Sequence, residues 1–541
     1  MSGHFGMKSY MKGAALLTIA ALIVKILSAI YRVPFQNLVG DEGFYIYQQV
    51  YPFIAIFVVW TSSGFAVAIS KMLADNDNNL LSAIEEREQQ RNAIMRTVFQ
   101  YLTLLSLLFF VLLFGGANFL ARAMGDDALA PLLRTGSFIV LIMPALAIVK
   151  GAFQSKGIMA PIAYAQVMEQ TVRVCIILVG AFLVMTTTKS LYGAGKMAII
   201  GTITGEVVGF LLLAYLYKKE FVKNSNLPKR HIKKWPILKE VTWLSLSVSM
   251  SGLLLLGYQL VDSFTVFSLL LDGGMEEMVA KQTKGIYDRG QPLVQLGIVI
   301  ASALSLAIVP LIAHISKKEK GRSATPFIQL TYKTSMLFGW ASSLGLILVM
   351  PYINEMLFKT DALSGVLMLY VIQIVPLCII LTFTAILQGY GKLKIPALFL
   401  LVGFMVKIML NVLMIQLFGV VGAAVASNIG LLISAVALVV YLKKIIKIQL
   451  APRCFYKKLI GASIWMSIAV VGWLKIMQLL VTVTASERVF ALFVGLSAVL
   501  IGAFVMLTQM AKSRILLEKE WYLLPFGRRM ATYQLWLNRK K

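Results

Sequence analysis

Long apolar runs, separated by short polar or Pro/Gly-rich breaks, dominate the chain. A helix needs about 20 mostly apolar residues to cross the hydrocarbon of a membrane, and these runs reach that length. The pattern therefore predicts an all-α, polytopic membrane protein with fourteen spanning helices. The predicted spans are 13–38, 48–72, 94–115, 131–150, 160–185, 196–217, 241–270, 290–314, 327–350, 364–387, 394–417, 420–442, 458–482 and 489–511.

Basic residues in the predicted loops indicate the orientation, because Lys and Arg are retained on the cytoplasmic side. Lys8 and Lys12 precede the first span, Lys150 and Lys156 flank the turn between spans 4 and 5, and bases crowd the loop between spans 6 and 7. The loops on the other side are acidic, with Asp41, Glu42, Asp126, Asp127, Asp272, Glu276 and Glu277. Both termini are therefore expected in the cytoplasm.

An internal repeat organises the chain. Phe153-Gln154-Ser155-Lys156-Gly157 recurs as Leu387-Gln388-Gly389-Tyr390-Gly391, and each copy precedes a helix-opening proline. Six helices per copy preserve the inside-outside sense, so the copies are parallel repeats. The sequence thus predicts two pseudo-symmetric six-helix lobes, at 1–223 and 224–448, followed by two further helices within 449–511 and a cytoplasmic tail at 512–541.

Ionisable residues lie inside several apolar runs, where a charge is expensive and indicates function. The bases among them are Lys25, Arg173 and Lys407, and the acids are Glu169, Glu206 and Asp262. Arg173 and Lys407 fall at matching places, since the interval from the repeated glutamine is the same in both copies, 154 to 173 and 388 to 407. Together with Arg32 and Arg289, these bases predict a cavity that accepts an anion such as pyrophosphate, which guanidinium groups bind bidentately.

The acids admit more than one interpretation. Glu169 lies four residues before Arg173, on the same helical face, so it is expected to pair with that base in an empty cavity. Glu206 and Asp262 serve the same pairing, or bind a coupling cation or proton. The alternative for the whole set is that these charges form structural ion pairs within each lobe.

Composition narrows the function further. Hydrophobic residues make up 59% of the chain, and the net charge of +27 fits membrane orientation and attraction to anionic lipid better than nucleic-acid binding. The three cysteines, Cys175, Cys378 and Cys454, are scattered, so neither a disulfide framework nor a metal site is expected. Sequence motifs for ATP binding or zinc-dependent hydrolysis are also lacking, and no cofactor or enzymatic activity is expected.

Several segments together resemble the MOP exporter superfamily, and within it the SpoVB, YtgP and MurJ group of lipid-linked oligosaccharide flippases. They are the six-helix lobes, the Gln-x-x-Gly turns, Lys25 through Arg32 followed by Gly40 and Gly43-Phe44-Tyr45, and Tyr287-Asp288-Arg289 leading to Pro292 and Pro310. The likeness covers essentially the whole chain. It implies a bacterial cytoplasmic membrane, a lipid-linked oligosaccharide substrate, and contacts with membrane lipids and cell-envelope synthesis proteins.

The resemblance also implies a central cationic cavity and a groove for the lipid tail formed by helices 13 and 14. It places Lys25, Arg32 and Arg289 at the essential cavity bases of the family. One departure is that MurJ-type sequences carry a base late in helix 2, whereas this chain has Trp60-Thr61-Ser62-Ser63-Gly64 there. This difference leaves room for a glycolipid other than the peptidoglycan precursor.

Three function classes follow from these observations. The first is a flippase that moves an undecaprenyl-pyrophosphate-linked saccharide by alternating access, which the extra helices and the cavity bases favour. The second is a cation-coupled multidrug exporter of the same superfamily, for which twelve helices and an acidic, aromatic cavity are typical. The third is an integral glycosyltransferase, which usually carries a long outer catalytic loop, whereas the predicted outer loops of this chain are short.

Overall fold

A computed structural model describes residues 19–77, 84–221, 233–305, 325–392, 394–446, 449–480, 487–522 and 527–539, with the single positions 16 and 312. Across these residues the regular secondary structure is helical and contains no β-strand. The predicted all-α fold is therefore confirmed.

The helices of the described residues are numbered in chain order. They are α1 (19–30), α2 (Arg32–Val59), α3 (Ala66–Asp77), α4 (Ile84–Ala123), α5 (Ala130–Ser137), α6 (Met143–Ser155), α7 (Ala160–Thr187), α8 (Leu191–Phe221), α9 (Lys234–Asp272), α10 (Glu277–Asp288), α11 (Gly290–Gly297), α12 (299–305), α13 (Thr325–Phe358), α14 (Ser364–Val371), α15 (Ile374–Gly389), α16 (Lys394–Phe418), α17 (Val420–Ile446), α18 (Arg453–Leu480), α19 (Glu487–Lys512), α20 (Glu518–Trp521) and α21 (Gly527–Asn538).

Twelve stretches within the described residues are long and apolar enough to span a membrane. One of them, Ile19–Asp77, covers two predicted spans, because helical structure continues past a break at Gly40. Gly40 has φ 72° and ψ −173°, a backbone conformation that residues other than glycine rarely adopt. The chain changes direction at this residue. The predicted eighth span, 290–314, runs beyond the described residues, and the count of fourteen stays a prediction.

Two predicted boundaries differ from the structure. The sequence predicts that the fourth span ends at Lys150, but α6 continues to Ser155 and buries Lys150 instead of leaving it in a loop. The sequence also predicts a loop from Glu277 to Asp288, but this segment forms α10. Its polar residues hide the helix from a hydropathy scan, although one face is buried.

Contacts within the structure divide the chain into two units. The boundaries of these units lie at other residues than those of the predicted lobes. Unit 1 comprises the described residues up to Asp288 together with Lys407–Ala423, and unit 2 comprises Arg289–Val406 and the described residues from Ala424 onward. The chain passes from one unit to the other at three places: between α10 and α11, inside α16 and inside α17. The predicted lobes remain a prediction.

In unit 1, α8 packs closely on α7 through a stripe of glycines at Gly201, Gly205 and Gly209. A Cβ added at Gly205 would lie 2.7 Å from the backbone oxygen of Glu169, and one at Gly201 would lie 2.9 Å from Ile177. Small residues at four-residue spacing allow such an approach between membrane helices. The stripe therefore brings polar side chains of the two helices within reach of each other.

In unit 2, α18 and α19 pack beside α13, and the tail folds back on them. Lys333 of α13 donates to Glu520 at 2.8 Å, and Trp521 donates to Gln534 at 2.7 Å. Trp521 is buried, and Asn538 of α21 donates to the carbonyl of Ala511 at 3.1 Å. The described part of the tail is thus docked and helical.

Candidate functional site

The first group of charges in unit 1 is an acid–arginine cluster, defined by Glu169, Arg173 and Glu206. Arg173 Nη2 donates to Glu169 Oε1 at 3.0 Å and to Glu206 Oε1 at 3.2 Å, while Nη1 donates to Gln170 at 3.2 Å. The expected i, i+4 contact between Glu169 and Arg173 is present. One guanidinium nitrogen therefore serves two carboxylates.

This cluster is buried and incompletely satisfied. The side chain of Glu206 is 2% exposed, and those of Glu169 and Arg173 are each 12% exposed. Within the described residues, Glu206 Oε2 and Arg173 Nε have no hydrogen-bond partner. Buried polar atoms usually find partners, so these two atoms mark a place where a further group can bind.

Lys150 is a functional candidate that the sequence reasoning missed. Its side chain on α6 is buried, and its Nζ donates to Ser62 Oγ at 2.9 Å. Ser62 lies in a π-helical turn, Trp60–Phe65, and such turns are frequent at functional sites. Lys150 also interacts electrostatically with Glu206. The second predicted span lacks the base that MurJ-type sequences carry, but the ammonium group of Lys150 on α6 lies beside the same turn.

The second group is a lysine–aspartate cluster, defined by Asp262, Lys407 and Asn411, with Tyr287 beside it. Lys407 Nζ lies 2.8 Å from Asp262 Oδ2, which also accepts from Tyr287 at 3.1 Å. Asn411 donates to Asp262 Oδ1 at 3.3 Å. Asp262 is therefore held by one cation and by two neutral donors.

Arg32 is a buried base with few polar contacts. It is 1% exposed, and its guanidinium carbon lies 4.9 Å from the centre of the Tyr51 ring. Its Nε and Nη1 atoms have no acceptor among the described residues, and no carboxylate there lies within ion-pair distance. Lys25 of α1 is partly buried and likewise has no partner in the described part of the chain.

Electrostatic interactions join these groups into one charged region of unit 1. Tyr51 lies under Arg32 and also interacts with Arg173, and Asp288 interacts with both Asp262 and Arg32. Lys284, a second base that sequence reasoning missed, contacts both carboxylate oxygens of Asp288 at 2.6 and 2.7 Å. Its i, i+4 spacing from Asp288 was the available signal, but the polarity of the segment is typical of a loop.

Arg289 lies in unit 2 and is 0% exposed. Its Nη1 donates to Asn354 Oδ1 at 2.6 Å, and its guanidinium carbon lies 4.9 Å from the Phe358 ring centre. These two neutral groups fix the orientation of the guanidinium, whose planar fork suits an anion such as phosphate.

Two further observations bear on chemistry. On α10, the Lys281 ammonium donates to Glu277 at 2.7 Å and lowers the pKa of that carboxyl below its ordinary value. In the described residues, no group of three or more His, Cys, Asp or Glu side chains is placed to hold a metal ion. The charged region is thus built mainly from bases, carboxylates and tyrosines.

Unit 2 contains an apolar cavity of about 390 Å³. Leu296 and Gly297 of α11 line one part, and side chains from α13, α18 and α19 line the rest, including Phe338, Ala498 and Met506. Its wall is formed in part by α18 and α19, which correspond to the predicted spans 13 and 14. The shape and lining suit an alkyl or prenyl chain.

Comparison with known proteins matches this chain to a family model and to relatives in sequence. The family model described as "Polysaccharide biosynthesis protein" matches residues 10–316. The membrane protein YabM of Bacillus subtilis is 35% identical over 98% of both chains. The lipid II flippase MurJ of the same organism is 23% identical over 78% of this chain and 80% of its own.

Solved structures show the same fold. A structure titled "Lipid II flippase MurJ, inward closed conformation" superposes with a TM-score of 0.66 and 18% identity, covering 91% of this chain and 98% of that one. An inward-facing MATE multidrug resistance transporter of the MOP superfamily gives a TM-score of 0.62 and 14% identity, covering 78% and 94%.

Proposed function

The chain belongs to the polysaccharide biosynthesis family of the MOP superfamily, and from that premise we propose that it is a flippase for an undecaprenyl-pyrophosphate-linked saccharide. The lipid moves from the inner to the outer leaflet of a bacterial cytoplasmic membrane. The saccharide is lipid II or a related wall or polysaccharide precursor. Both termini lie in the cytoplasm, and envelope synthesis proteins are the expected partners.

The observation that carries this proposal is the buried guanidinium of Arg32, whose Nε and Nη1 atoms have no hydrogen-bond acceptor among the described residues. Burying polar donor atoms without acceptors is unfavourable, so the two donor atoms of Arg32 that lack acceptors among the described residues favour binding of an anion. A pyrophosphate supplies several acceptor oxygens and about two negative charges. In unit 1, Arg32 and Lys25 are the proposed contacts, and Arg173 and Lys407 exchange their acids for the substrate. Arg289 is a separate candidate contact in unit 2.

The apolar cavity of unit 2 supports the same function. A flippase for a prenyl lipid needs a path for the tail that stays in apolar surroundings while the headgroup crosses. The cavity beside α18 and α19 provides such surroundings, with side chains such as Met506 and Phe338. We assign it to part of the lipid tail.

Alternating access of two lobes and the membrane potential provide the mechanism. Moving one elementary charge through the whole field is worth about 2.3 kcal/mol per 100 mV, so an inside-negative potential favours outward movement of the anionic headgroup. Nucleotide hydrolysis is not required. Collapsing the potential in sealed proteoliposomes should slow transport, whereas a dependence on added ATP would contradict this mechanism.

The test of the proposed function is transport of a fluorescent lipid-linked saccharide in proteoliposomes. We expect Arg32→Ala to reduce the rate roughly ten- to hundredfold, because it removes charged hydrogen bonds that contribute about 1.5–3 kcal/mol. Arg32→Lys should restore part of the rate, since lysine keeps the charge but lacks the planar fork. Arg122→Ala is the matched control, because the Arg122 side chain is 79% exposed.

A cation-coupled multidrug exporter is the second candidate, favoured by the unpartnered oxygen of Glu206 among the described residues and by the MATE-like fold. The same liposomes distinguish the two functions. Export of cationic dyes that is driven by an ion gradient, together with unchanged lipid movement in Arg32→Ala, would support the exporter and contradict the flippase.

A further inference from the structure

We propose that the acid–arginine cluster takes up one proton when an anionic substrate group binds Arg173, so that substrate binding and protonation of the Glu169–Glu206 carboxyl pair are one linked event. This inference rests on the proposed function, because it uses Arg173 as a phosphate contact. It goes beyond that function by assigning a proton-binding site, which the two carboxylates form.

The geometry of the cluster provides the coupling. Glu169 and Glu206 both accept from the same atom, Arg173 Nη2, at 3.0 and 3.2 Å. Any acceptor that takes this donor therefore competes with two carboxylates at once. A one-to-one ion pair would lose only one contact in the same exchange.

Helix packing prevents the carboxylates from separating. Gly205 and Gly209 press α8 against the turn of α7 that carries Glu169, and a Cβ at Gly209 would lie 3.1 Å from the Glu169 Cβ. Glu206 stands between these glycines on α8 and is 2% exposed. After the loss of Arg173, the two acids would remain close together and shielded from water.

The surrounding groups cannot replace the arginine. Lys150 on α6 interacts with Glu206, but its ammonium is directed to Ser62 of the π-helical turn. On α2, Tyr47 and Tyr51 act on Arg173 and are neutral hydroxyls. Gln170 on α7 is also neutral, so Lys150 is the remaining cation facing the pair within the described residues.

The consequence follows from like-charge repulsion. Two adjacent buried carboxylates with one nearby cation are not both stable as anions, and sharing one proton relieves the repulsion. The proton comes from solution and forms an O–H bond on one carboxylate, with no other bond made or broken. By linkage, acidification then strengthens substrate binding, by up to about tenfold per pH unit for one proton.

The experiment is calorimetric titration of the purified full-length protein in detergent, with farnesyl pyrophosphate as the probe. Titrations at one alkaline pH, chosen so that both carboxyls are ionised before the probe binds, are run in two buffers of different ionisation enthalpy and give the protons taken up per probe bound. We expect the wild-type protein to take up about one proton more than Glu206→Gln. The protonation change of the probe itself is common to both proteins and cancels in this difference.

Two further variants make the result specific. Glu169→Gln should show the same loss of proton uptake, and it serves in place of Glu206→Gln if that variant does not fold. Glu277→Gln should keep the wild-type uptake, because this exposed carboxyl lies on α10 and pairs with Lys281. Probe binding with equal proton uptake in all proteins would overturn the inference alone, whereas no probe binding by the wild type would overturn the proposed function as well.

Discussion

In the acid–arginine cluster two carboxylates share one guanidinium nitrogen, whereas in the lysine–aspartate cluster one carboxylate receives three donors. Arg173 and Lys407 lie at the same interval from the repeated glutamine in the sequence, and both belong to unit 1, yet their surroundings have opposite charge balances. The first cluster has too few donors for its acids, and the second has several for one acid. Equivalent places in a repeat therefore need not have equivalent roles.

This difference in the number of donors determines which contacts the carboxylates keep when Arg173 or Lys407 binds another group. Asp262 keeps the hydroxyl of Tyr287 and the amide of Asn411, which stabilise it as an anion. Glu169 and Glu206 lose the donor that they share, and among the described residues Lys150 is the cation that still interacts with Glu206. Accordingly, we expect the first cluster to respond to protons and the second to hold its charge.

The sharpest test removes each base in turn. Arg173→Met should lower the free energy of unfolding by about 3–5 kcal/mol, since it leaves buried charge without its partner. Lys407→Met should cost about 1–3 kcal/mol, because two neutral donors still satisfy Asp262. Thermal unfolding in detergent measures both variants.

The pH dependence of these two variants separates the clusters further. Acidification should diminish the penalty of Arg173→Met, because protonation removes the repulsion between its carboxylates. Equal penalties for the two variants at every pH would show that the contrast between the clusters has no energetic meaning.

A second test changes the helix contact that creates the first cluster. Gly205→Ala should destabilise the protein by about 1–3 kcal/mol, because the added Cβ would overlap the backbone oxygen of Glu169 and push α8 from α7. Gly115→Ala is the control, since a Cβ at that position meets nothing within 4 Å. If both substitutions had the same effect, close packing would not be the cause of the shared arginine.

The third and smallest expected effect concerns access. In a background without Cys175, Cys378 and Cys454, cysteines at positions 173 and 407 should both react with a water-soluble thiol reagent during transport. Bound substrate should slow each reaction severalfold if both positions lie at the proposed contacts with the anion. Reaction only with lipid-dissolved reagents at either position would contradict a cavity-facing orientation.

The sequence predicts much of the fold because hydropathy and helix length are local properties. It also predicts the Glu169–Arg173 contact, which depends on helical periodicity alone. The partner of Lys407 was not evident, because Asp262 is 145 residues away and no local pattern joins them. Pairing across helices depends on packing, which a single sequence does not display.

Lys150 and α10 show a different limit of sequence reasoning. A base near the end of an apolar run resembles a loop residue, but α6 continues past Lys150 to Ser155 and its side chain is buried. In α10, Lys281, Lys284 and Asp288 reduce the hydropathy of a segment whose charges are satisfied internally. Both errors have the same cause. A charged residue that is buried with a partner contributes to the composition of a segment in the same way as an exposed one, so the segment is read as a loop.

The docked tail makes the order of synthesis matter. Glu520, which pairs with Lys333, is translated 187 residues after it, and Trp521 becomes buried only when α21 has also been made. Until Glu520 has been translated, Lys333 of α13 therefore lacks the carboxylate that it contacts in the folded chain. Docking of α20 and α21 then completes the polar contacts of Lys333 and Trp521 in unit 2.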